Sequence, residues 1–204
     1  APFGTGRVAV NNSGGLNLSP AGSGQNVSLT AASGNTGDTF TYGGSALLGL
    51  AKGANTSLTL TLGNAGASAD GVLARTNNGV LIVAPSSGTS SSNLGVAERL
   101  LVNGGVSTLN GMASAPVVGR DTGSAGTGDF LTYGTNGFVT AGYTDGLGGG
   151  AASIANLTAT TTTDNASVYA LRVNSGMLLT VNSGKTLTVG DGTRPAGLIL
   201  NNTG

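Results

Sequence analysis

The sequence contains no cysteine, no histidine and no tryptophan, and only 8% of its 204 residues are charged, against about a quarter in ordinary soluble domains. Eight basic and eight acidic side chains cancel. Zinc fingers, haem ligation, Cys or His nucleophilic catalysis, disulfide scaffolding and a basic nucleic-acid footprint all lose the residues they require. No run of about 18 apolar residues occurs, so no transmembrane helix is expected. Ala1 is not an initiator Met and no signal peptide follows it, so the sequence is expected to be a processed chain or an excerpt of a longer one.

What the chain has instead is small and polar. Gly, Thr, Ser and Asn number 38, 27, 20 and 19, about half of all residues. Such tracts often solvate rather than pack. Disorder nevertheless fails on the apolar count, because Leu, Val, Ile and Phe supply 47 residues, or 23%, at zero net charge, and they fall in short alternating runs.

The clearest of these runs form a repeat. Leu171-Arg-Val173-Asn-Ser-Gly176, Leu179-Thr-Val181-Asn-Ser-Gly184 and Leu187-Thr-Val189-Gly-Asp-Gly192 follow one another at eight-residue spacing. Two apolar residues two apart share one face of a strand while the residue between them points outward. The Asn-Ser-Gly or Gly-Asp-Gly that follows supplies the positive φ a tight corner needs. The same grammar recurs at Val8-Ala-Val10-Asn-Asn-Ser-Gly14, Leu16-Asn-Leu18, Val27-Ser-Leu29, Leu58-Thr-Leu60-Thr-Leu62 and Leu198-Ile-Leu200-Asn-Asn202. A longer echo sets Thr36-Gly-Asp38-Thr-Phe40-Thr-Tyr42-Gly43 against Thr127-Gly-Asp129-Phe130-Leu-Thr-Tyr133-Gly134, at an offset of 91 that suggests two modules.

Helix signals are poor, and only Val96-Ala-Glu98-Arg99-Leu100 could make a single turn. The expected fold is all-β: a parallel β-helix or β-solenoid over residues 1–204, with short strands, Gly/Asn/Ser corners, and three units of about eight residues to a coil. A β-sandwich is the alternative, disfavoured by the scarcity of aromatics and by three successive near-identical units.

The Leu-x-Val-Asn-Ser-Gly units, the Gly190-Asp-Gly-Thr193-Arg-Pro195-Ala-Gly-Leu198 step and Gly128-Asp129-Phe-Leu-Thr-Tyr133-Gly-x-x-Gly137-Phe138 resemble the autotransporter-associated β-strand-repeat proteins secreted by Gram-negative bacteria. The resemblance is rhythmic over most of the chain and sharpest from about Gly126 onward. It implies a right-handed β-helical passenger, extracellular or on the cell surface, serving as adhesin, fibre or matrix material. No C-terminal membrane barrel is expected in this stretch.

Because parallel β-helices also host polysaccharide lyases and hydrolases, the acids Asp38, Asp70, Glu98, Asp121, Asp129, Asp145, Asp164 and Asp191 bear on catalysis. Glycoside hydrolysis needs two carboxylates facing each other, and these are scattered; Asp38, Asp129 and Asp191 sit beside glycines, where an Asp caps its own turn. Gly126-Thr-Gly128-Asp129-Phe-Leu131 misses the Ca²⁺ nonapeptide spacing, and Gly184-Lys185-Thr186 lacks the glycine that opens a P-loop. No catalytic, cofactor or metal residue is therefore assigned.

Thr59 and Thr61, Thr186 and Thr188, and Thr158 to Thr163 form outward ranks of the kind ice-binding surfaces use. The pattern breaks at Arg172, Ala9 and Asn17, so Thr as an ordinary strand residue is preferred. Seven Asn-x-Ser/Thr sites, at Asn11, Asn17, Asn26, Asn55, Asn156, Asn165 and Asn201, follow from composition. The functional expectation is a non-enzymatic extracellular fibre or adhesin shaft that associates with itself end to end or laterally, with surface glycans as a further partner and no nucleic acid. A polysaccharide-active β-helix enzyme is the first alternative and an ice-binding solenoid the second.

Overall fold

A computed structural model describes residues 7–31, 39–64, 72–85, 94–120, 128–192 and 196–201. Asp38, Asp70 and Asp121, the Phe3-Gly-Thr-Gly6 stretch and Asn202 to Gly204 lie outside the described residues. The chain is all-β, and no helix occurs among the described residues. Its strands are β1 (Val8–Val10), β2 (Gly15–Leu18), β3 (Asn26–Ala31), β4 (Phe40–Leu50), β5 (Ser57–Leu62), β6 (Leu73–Pro85), β7 (Glu98–Val102), β8 (Val117–Arg120), β9 (Gly128–Gly134), β10 (Gly137–Thr140), β11 (Thr144–Asp145), β12 (Ile154–Leu157), β13 (Thr161–Thr163), β14 (Ala166–Val168), β15 (Ala170–Val173), β16 (Leu179–Val181), β17 (Leu187–Val189) and β18 (Gly197–Leu200).

Alternating apolar residues set the pairing. In Leu58-Thr-Leu60-Thr-Leu62 the three leucines are fully buried, and β5 lies parallel between β3 and β7. On the neighbouring sheet β1 and β2 both run parallel to the long β4, which runs parallel to β6, and β6 to β8. The turn between β1 and β2 stacks on bends within β4 and β6. Asn12 and Ser13, then Gly44, then Asn77 and Asn78 all take positive φ. Gly79 must lack a side chain because a Cβ there would lie 2.5 Å from the Cα of Gly43. Asn and Gly are the residues that most readily tolerate this backbone, and they fill four of these five positive-φ corner positions.

The three eight-residue units fall on three separate strands. β15 lies between β12 and β18, β16 lies beside β13, and β17 lies beside β14, all parallel and in register. Leu171 is buried with Ala155, Leu157 and Val168, and Val173, Leu179, Leu187 and Val189 pack half-buried against that group.

One sequence expectation needs correction. The sheets are small and mixed: β8–β9 and β9–β10 pair antiparallel, so the strands are not all parallel. Phe130, Tyr133 and Phe138 supply the large apolar side chains that cover this hairpin, and a hairpin needs only local chain reversal. Glu98, Arg99 and Leu100 form strand β7 rather than a helical turn, because Leu100 and Val102 alternate inward against β5. In the echo at offset 91, Phe40 and Tyr42 lie on β4, parallel to both neighbours, while Phe130 and Tyr133 lie on antiparallel β9.

These placements fix an expected outcome for two successive strands. Leu171→Asp buries a charge with no partner and should lower stability by about 3 kcal/mol or more, whereas Thr180→Asp, at an exposed position, should change it by less than about 0.5 kcal/mol. Thermal unfolding of the two variants checks the assignment of faces, and equal shifts would refute it.

Candidate functional site

Polar side chains gather where hairpin β9–β10 meets the strands β12, β15 and β18. Asn156, Arg172 and Ile199 occupy one register across those strands. Arg172 forms an ion pair with Asp129 of β9 and donates from Nε to Asn156 Oδ1 at 2.9 Å. Asn174 Nδ2 donates to the same Asn156 oxygen at 3.1 Å. The guanidinium lies 4.0 Å from the centre of the Tyr143 ring, a cation–π contact. The Tyr143 hydroxyl accepts the Phe130 N–H at 2.8 Å and donates to Asp129 Oδ1 at 3.3 Å.

A second clasp lies beside it. Asn201 accepts the Gly128 N–H at 2.7 Å and donates to the Gly128 carbonyl at 3.2 Å, so one amide side chain completes the edge of β9 as a strand would. Gly197 allows the close approach: a Cβ there would run into the ring of Phe130. Burial pushes the Tyr143 hydroxyl up to about 12, its bond from the Phe130 N–H opposing this, and burial lowers Arg172 from its usual range. The arrangement joins β9 to β12 and β15 through side chains.

Asp129, expected to cap its own turn, instead faces Arg172 and Tyr143, because β9 carries it across to the neighbouring sheet. Asp164 accepts the Asn182 amide at 3.1 Å. Asp145 is exposed on β11 and Asp191 is exposed after β17. Glu98 is fully buried, where its Oε1 accepts the Lys52 N–H at 3.0 Å. Among the described residues no three His, Cys, Asp or Glu side chains gather as a metal set. Of the Asn-x-Ser/Thr sites, Asn55, Asn156 and Asn201 are buried and Asn11, Asn17, Asn26 and Asn165 are exposed. Thr162 and Thr180 pair outward on one sheet and Ser167 and Thr188 on the next, but Thr59 stands between Ser28 and Arg99, so the hydroxyl ranks are short.

Sequence reasoning missed Tyr143 and passed over Arg172 as a break in the Thr pattern. That break was the signal, for Arg172 holds the outward slot that Thr180 and Thr188 fill in the sister units.

A different surface is apolar. Leu198 and Leu200 on β18 are 59% and 65% exposed, and Leu178 before β16 is 61% exposed. Leu198 sits in register with buried Leu171, and Leu200 with Val173, so these exposed leucines continue interior columns. A hollow of about 340 Å³ lined by Val173, Asn174, Gly176, Met177, Leu200 and Asn201 opens beside them.

The chain matches no protein-family model, no curated protein and no solved structure in comparison with each. No helix among the described residues is long and apolar enough to cross a membrane.

The Tyr143 joint has a pH signature. The folded chain keeps this hydroxyl protonated to about pH 12, against 10 in the unfolded chain, so its contribution is whole below pH 10 and is lost as pH rises towards 12. Tyr143→Phe should cost about 1 kcal/mol at neutral pH and flatten the decline in stability between pH 10 and 12. Denaturant titrations at stepped pH test this; an unchanged slope in the variant would contradict it.

Proposed function

We propose that the chain is a segment of a β-solenoid that serves as a non-enzymatic, extracellular structural shaft, built to associate with itself. The observation that supports this reading is that β15, β16 and β17, successive in the chain, pair parallel and in register with β12, β13 and β14, also successive. Coils stacked this way extend along one axis, with each coil covering its neighbour's interior. The exposed leucines of β18 support self-association, since apolar columns that reach the surface favour burial by a like surface. Low charge supports it further, because the repulsion that keeps proteins apart is small.

The resemblance to autotransporter-associated repeat proteins supports an adhesin, fibre or matrix role on a bacterial surface, and the uncharged Thr, Asn and Ser exterior suits contact with glycans. The described carboxylates favour a structural reading over a polysaccharide-active enzyme. Asp129 is bonded to Arg172 of β15, Asp164 to Asn182 just after β16, and Glu98 to the backbone of Lys52, so these three carboxylates serve the fold and do not face one another as an acid and base pair would.

Electron microscopy of the purified chain, with a parallel assay on acidic and neutral polysaccharides, separates these readings. Thin elongated particles and no turnover are expected. Compact particles that depolymerise any substrate would overturn the proposal.

A further inference from the structure

Two surfaces of the fold carry strands paired on one side only among the described residues. At one, β1 and β2 pair only with β4, and β3 only with β5. At the other, β16 pairs only with β13, β17 only with β14, and β18 only with β15. The apolar strand positions of the two surfaces correspond at a constant offset of 171. Val8 and Val10 match Leu179 and Val181, Leu16 and Leu18 match Leu187 and Val189, and Val27 and Leu29 match Leu198 and Leu200, with no insertion between them.

The first corner matches in its closing hydrogen bond and at its second turn residue, though Asn12 also has positive φ and its counterpart Ser183 does not. Gly14 donates its N–H to the carbonyl of Asn11 at 2.9 Å, and Lys185, at the matching position, donates to Asn182 at 3.0 Å. Ser13 and its counterpart Gly184 both have positive φ, 65° and 74°. The match is closer than the one the chain already uses internally. Thr161 and Ala166, which sit beneath Leu179 and Leu187, are five residues apart, whereas Leu179 and Leu187 are eight apart, as are Val8 and Leu16.

We infer, on the basis of the solenoid reading above, that a second copy of this chain seats its β1, β2 and β3 on β16, β17 and β18. The contact prolongs the three parallel ladders with Val8 beside Leu179, Leu16 beside Leu187 and Val27 beside Leu198. It covers Leu198 and Leu200 with Val27 and Leu29, which are half-buried on their own surface. Charge permits it: residues 8–30 carry no charged side chain, and neither do β16, β17 and β18. Because the two surfaces differ, the contact is heterologous and propagates head to tail unless the rotation closes a ring.

The absence of cysteine makes the register directly testable. Ala9 and Thr180 are both exposed and outward, and neighbouring strands lie about 4.8 Å apart, within the Cα separation a disulfide spans. Under mild oxidation the double variant Ala9→Cys/Thr180→Cys should give a covalent ladder of dimers, trimers and larger species, while the out-of-register Ala9→Cys/Thr188→Cys should not. Leu198→Asp, at a position exposed in the single chain and so harmless to its folding, should weaken association about tenfold or more in sedimentation. A ladder of equal strength from the out-of-register pair would overturn the inferred register. Assembly without any ladder would overturn this interface while leaving a laterally associating shaft. A chain that stays monomeric at tens of micromolar would overturn both.

Discussion

The structure depends on the parallel backbone ladder between successive passes of the chain. A parallel pair cannot close with a two-residue turn, so the chain must travel round before it returns beside itself. Phe40 lies beside Val8, 32 residues on, and Leu179 beside Thr161, 18 residues on. Every such return needs corners that lie one over another without side-chain collision. The stacked positive-φ residues at Asn12 and Ser13, Gly44, and Asn77 and Asn78 meet that need. The interior is filled mainly by Leu, Val and Ala, with Phe40, Phe130 and Phe138 the largest fully buried side chains, and its burial favours the folded chain.

Where the ladder is interrupted, polar chemistry takes over. Hairpin β9–β10 turns its strands antiparallel, and its β9 must be joined to β12, β15 and β18 without continuing their ladders. Arg172, Asp129, Tyr143 and Asn156 make that joint, and Asn201 completes the backbone edge of Gly128. On the far side the Tyr133 hydroxyl accepts the Val102 N–H at 2.7 Å and donates to the Val102 carbonyl at 3.1 Å, joining the hairpin to β7. In each case one side chain satisfies strand backbone that would otherwise be unpaired, which matters because buried amide groups are costly when left without partners.

The all-β class, the three strands of the eight-residue units and the inward position of Leu171 were legible in the sequence because alternation of period two and Gly-rich corners are local signals. The antiparallel hairpin was not. Gly128-Asp-Phe-Leu-Thr-Tyr-Gly134 resembles the stretch that ends in Phe40-Thr-Tyr42-Gly43, yet β9 pairs antiparallel with its near neighbours β8 and β10 while Phe40 and Tyr42 on β4 pair parallel with strands about thirty residues away. Asp129 was misread for a different reason: it follows a glycine in sequence, while its partner Arg172 is 43 residues distant. Glu98 could have been placed inside, since it stands two residues before Leu100 and four before Val102 on the same face of β7.

The central claim is that successive eight-residue units stack on earlier passes rather than folding back on one another. Nuclear Overhauser contacts between backbone protons separate these arrangements in the isolated chain. The account predicts contacts linking Thr162 with Thr180 and Ser167 with Thr188, the registers of β13 with β16 and of β14 with β17. Contacts linking residues 171–173 with 179–181 in an antiparallel pattern, as a meander in a sandwich would give, would contradict it.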